Sequence, residues 1–200
     1  MDRSFKFVAI VFAVNAILSV IGFALAMAYG GMPHVWLHPV LGALWTTLIF
    51  VQMGLAAKKS PIHKIVGRVA LIVLGVSIYA ALRGVAMAFG DEGSMPNSVL
   101  FVFIATGLAT LIYASLGIGF ALKKNFEAHS TAMLLAGAVT MAAGIARLSG
   151  AFNGIIGIPF QLTYSLCSLS MALALWYWRP SQRYLIGSYI VLMGCVIFLR

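Results

Sequence analysis

The stretch "KKNFEAHSTAMLLAGAVTMAAGIARLSG", residues 123–150, decides the fold. Two lysines, Glu127 and His129 open it, and no further charge appears before Arg147. The run from His129 to Gly150 exceeds the roughly 20 apolar residues that carry a helix across a bilayer. It reads as a membrane span with a polar end at each face.

The rest of the chain repeats that plan. Of its 200 residues, 62% are hydrophobic and 8% charged, too few charges to cover the surface of a soluble domain. Seven apolar runs are expected to span: Phe7–Tyr29, Trp36–Ala57, Ile65–Phe89, Ser98–Leu122, His129–Gly150, Ile158–Trp178 and the short Tyr184–Leu199. Brief connections with turn residues separate them, among them "GGMPH", "KKSPIHK", "GDEGSMPN" and "RPSQR". The expected architecture is an all-α, polytopic transmembrane helix bundle forming one integral membrane domain. No solenoid repeat is present, and the halves are too dissimilar to read as duplicates. "MDRSFK" followed by an apolar run and "ALAMA" imitates a signal peptide, but the run is longer than a usual signal core, so a retained first span is preferred.

Charge placement sets the orientation. The net charge of +9 does not indicate nucleic acid, because the basic residues sit in short clusters between apolar runs. With seven spans, Arg3, Lys6, Lys58, Lys59, Lys64, Arg68, Lys123, Lys124, Arg179 and Arg183 share one side, ten of the thirteen. The positive-inside rule then puts the N-terminus in the cytoplasm and the C-terminus outside, as expected of a bacterial inner-membrane protein.

Polar groups inside spans need a reason, since a central arginine costs roughly 2.5–3.5 kcal/mol on insertion. His129 and Arg147 lie five helical turns apart on one face, about 27 Å from each other. The stripe between them passes Met133, Ala136, Thr140 and Gly144, small residues that suit the bundle interior. Arg83, one turn after Tyr79, stands at a depth similar to Arg147, with no acid inside any span to separate them. His38 opens the second span ahead of Pro39, and Gln52 ends a stripe through Gly42, Trp45 and Ile49. From these residues a ligand-binding pocket near the outer leaflet is expected, formed by His38, Gln52, Tyr79, Arg83 and Arg147. Its ligand would be small and anionic or amphipathic, and the protein's role binding or transport.

Two other classes stay open. His63 and His129 open spans three and five on the inner side, and as a pair they offer haem b ligation or a quinone-handling redox role. Their position beside lysines equally suits interfacial anchoring, so no cofactor is the first expectation. The third class is an assembly partner without a ligand. His34 and His38 lack an acid or thiolate, so no metal site is expected. Cys167 and Cys195, with no CxxC spacing, read as small buried hydrophobes. No nucleophile–base pair, phosphate loop or paired carboxylates argue for an enzyme.

Over roughly His38–Leu148 the chain resembles an uncharacterised family of bacterial multi-pass membrane proteins known as a domain of unknown function. The resemblance rests on "HPVLGALWTTLIFVQ", on "HKIVGR", and on "HSTAMLLAGAVTMAAGIARL". Lys64 and Ser130 depart from the arginines usual there. The resemblance implies no activity, and marks His38, His63, Arg68, His129 and Arg147 as residues to test.

Overall fold

The computed structural model describes residues 3–29, 37–90, 97–152 and 160–198. All regular structure among them is helical: α1 (Arg3–Tyr29), α2 (Leu37–Ala57), α3 (Ile62–Gly90), α4 (Asn97–Leu122), α5 (Phe126–Phe152), α6 (Phe160–Trp178) and α7 (Arg183–Phe198). A 3-10 turn, Pro180–Gln182, links the last two. Pro39 lies in the first turn of α2 and Pro61 immediately precedes α3, positions where the missing N–H costs nothing. Asn125 caps α5, its Oδ1 accepting the Ala128 N–H at 3.1 Å.

Among the described residues five helices, α1 to α5, are long and apolar enough to cross a membrane. The expected sixth and seventh spans are present as helices but fall outside that set. At 16 residues α7 reaches only about 24 Å, short of a hydrocarbon core of about 30 Å.

The core is built around α5, which packs against α1, α2, α4, α6 and α7. Its Phe126–Ile145 segment is 72% buried, against 22–39% for the other four candidate spans. The cause is side-chain size. Ala128, Ala132, Ala136, Ala138 and Ala142 are all buried and let neighbouring backbones approach. The tightest approach is to α1. A Cβ on Gly22 would collide with the carbonyl oxygen of Gly144, and one on Gly144 with the Ser19 hydroxyl and the Phe23 ring. The stripe of small residues on α5 is therefore filled by other helices. In contrast α3 packs extensively on α2 alone, leaving Ile65, Val69, Ile72 and Val76 exposed.

An internal likeness that the helix sequences conceal emerges at two loops. "GLAAKKS" (54–60) and "GFALKKN" (119–125) close their helices identically. Lys59 and Lys124 adopt left-handed φ values of 52° and 57°. Ser60 N–H bonds to Leu55 O at 3.0 Å and Asn125 N–H to Phe120 O at 2.9 Å, while Lys59 and Lys124 each bond three residues back at 3.0 Å. This is the Schellman arrangement, with lysine where glycine is usual. The hairpins α2–α3 and α4–α5 thus share one turn geometry, and each has a histidine at the start of its second helix.

Contacts gather one set of ends together. Phe5 and Phe7 at the start of α1 meet Trp178 and Tyr177 edge-on at 5.2 and 5.8 Å. Glu127 Oε1 accepts bonds from Arg179 Nη1 at 3.2 Å and Ser181 Oγ at 2.8 Å, tying the first turn of α5 to the α6–α7 turn. The chain's alternating helices bring the α2–α3 loop to the same end, and the ten basic residues named above lie at or near it.

Candidate functional site

The starts of α3 and α5 each carry a histidine at the basic end, His63 held against α2 and His129 against α4. Gln52 Nε2, in the last turns of α2, donates to the His63 carbonyl at 2.9 Å and fixes the α3 start on α2. Gly67 makes the room: a Cβ there would stand 3.3 Å from Gln52 Nε2. On the other hairpin, His129 Nδ1 lies 2.8 Å from Gly117 O of α4. A carbonyl only accepts, so Nδ1 carries the proton, and in neutral imidazole Nε2 keeps its lone pair.

Two buried polar atoms here have no protein partner, His63 Nδ1 and Gln52 Oε1. A buried orphan costs about 1–3 kcal/mol. Two of them on residues joined by the Gln52–His63 bond mark a place prepared for something further. Lys58, Lys59, Lys64, Arg68, Lys123 and Lys124 are exposed at the same end of the two hairpins and make its surroundings positive.

The residues expected near the outer leaflet do not assemble among the described groups. Gln52 belongs to the basic end, because its amide reaches the His63 carbonyl rather than His38. Tyr79 is 64% exposed and Arg83 is also exposed, both on α3, whose extensive packing is with α2 only. The side chains of His38 and Arg147 lie outside the described residues. The stripe that links His38 to Gln52 is packing: Gly42 abuts Phe23, while Trp45 and Ile49 are buried. Of the two cysteines, Cys167 is buried as expected, but Cys195 is exposed on α7.

One interior polar group escaped the sequence reading. Asn15, buried in α1, donates to Val11 O at 2.8 Å and to Ser170 Oγ at 3.4 Å, and accepts from Cys167 Sγ at 2.9 Å. The signal was a lone amide within an otherwise apolar run. It holds α1 to α6 by interhelical hydrogen bonds.

Compared with known protein families, with characterised proteins and with solved structures, the chain finds no match.

Proposed function

We propose that this is a multi-pass membrane redox protein in which His63 and His129 hold haem b at the cytoplasmic end of the bundle. The observation that carries the reading is that His63 and His129 open α3 and α5 at the same end of the bundle, where His63 Nδ1 and Gln52 Oε1 are buried without a protein partner. Haem b would supply a one-electron couple within the bilayer. The chain's own residues do the rest. The Gly117 carbonyl orients the His129 ring and raises the basicity of its Nε2. Gln52 holds the backbone of His63, so that ring starts from a fixed point. The lysines of the two loops offer counter-charge to carboxylate groups carried by the cofactor.

The same reading includes seven spans, a cytoplasmic N-terminus and a bacterial inner membrane. Support comes from the alternation of helix ends and from the basic residues gathered at one of them. An anion site at the outer leaflet finds less support, since Tyr79 and Arg83 lie on the exposed face of α3.

The test is an absorption spectrum of the protein purified from cells supplied with haem precursor. A Soret band is expected in the wild type, lost in His63→Ala and in His129→Ala, and kept in Lys124→Ala. A colourless wild type, or a band that survives both histidine variants, overturns the reading.

A further inference from the structure

The outward flank of α4 carries a shallow apolar groove of about 500 Å³, independent of the histidine site. It is lined by Ile112, Ser115, Leu116, Gly119 and Phe120, and Lys123 stands at its end. From Leu111 to Lys123 the helix rises about 18 Å, close to the roughly 15 Å depth of one leaflet's hydrocarbon. The groove therefore begins at the headgroup layer, at a cation, and runs inward for the length of one acyl chain. Gly119 leaves it open: a Cβ there would meet nothing within 4 Å.

The corresponding stretch of α2 differs at one turn. Taken in the register of the two loops, Gly119 corresponds to Gly54 and Lys123 to Lys58, whereas Ser115 corresponds to Phe50. A large aromatic side chain thus stands on α2 where α4 has a small serine. The cation and the glycine are shared, and the vacant turn between them belongs to α4.

We infer that this groove retains one anionic phospholipid, with an acyl chain along Ser115 and Gly119 and the phosphate group at Lys123. Apolar walls with a single cation at headgroup depth match that molecule and no soluble anion. A lysine near an anionic surface favours a negative lipid about fivefold.

Native mass spectrometry of the full chain in detergent tests this with phosphatidylglycerol and phosphatidylcholine of matched chains. The wild type is expected to retain one lipid, with phosphatidylglycerol preferred about fivefold. Ser115→Phe and Gly119→Leu fill the groove and should lose that lipid. Lys123→Gln should keep a lipid but lose the preference, and Gly54→Leu should leave both unchanged. Equal retention of the two lipids by the wild type overturns the inference. So does retention by Ser115→Phe, a preference surviving Lys123→Gln, or an equal loss in Gly54→Leu.

Discussion

Replacing Gly22 by alanine adds one methyl group where α1 meets α5, and the structure fixes what it strikes. The obstacle is the backbone carbonyl of Gly144, which cannot swing aside as a side chain can. Overpacking a tight interface costs about 1–3 kcal/mol, and a rigid obstacle puts this case near 3. Alanine returns about 0.5–1 kcal/mol through its better helix propensity. The expected net loss is about 2 kcal/mol, which for a chain of this size lowers the unfolding midpoint by roughly 4–8 °C. Two comparisons separate sterics from propensity. At Gly117 the added Cβ would meet the Sδ of Met133, an unbranched side chain that can turn away, so Gly117→Ala should lose less. At Gly54 it would meet nothing within 4 Å, so Gly54→Ala should gain stability. Thermal unfolding of the detergent-solubilised protein, followed by size-exclusion chromatography, reads all three. If Gly22→Ala unfolds at or above the wild-type temperature, α1 and α5 do not cross at this point.

Lys59→Gly and Lys124→Gly should each stabilise the protein by about 0.5–1 kcal/mol in the same assay, because glycine accepts positive φ without the strain a lysine bears. A loss in either variant means that the lysine side chain contributes more than its backbone strain costs. A reporter joined after Arg200 should register the extracytoplasmic side and one inserted at Lys59 the cytoplasm. A cytoplasmic signal from the C-terminal fusion would remove one of the seven spans.

Local pattern carried the helices. Apolar runs and turn residues located all seven, and the small residues of the fifth run pointed to an interior helix. The tertiary consequences were less accessible. Nothing near His63 announces that Gln52 binds its carbonyl, because the two meet across a loop whose shape depends on Lys59 lying in left-handed space. The matching ends of α2 and α4 were hidden for a related reason, since they lie in the backbone geometry of two short loops and not in the flanking apolar residues. An extra residue before His129, relative to His63, also shifts the histidines out of register. Arg83 was read from depth alone, and depth does not give direction: α3 packs on α2, and Arg83 is exposed.

Asn15 has a consequence measured in time. Its partner Cys167 lies 152 residues further along the chain and Ser170 lies 155. At roughly 5–20 residues per second, α1 waits about 8–30 s in the membrane before α6 has been made. A bare amide would tend to pull the helix out of the lipid or recruit an unrelated helix during that interval. The bond from Asn15 Nδ2 to Val11 O, four residues back on the same helix, needs no other part of the protein. It keeps part of the amide occupied until its lasting partners are synthesised, a provision for biogenesis that remains within the finished fold.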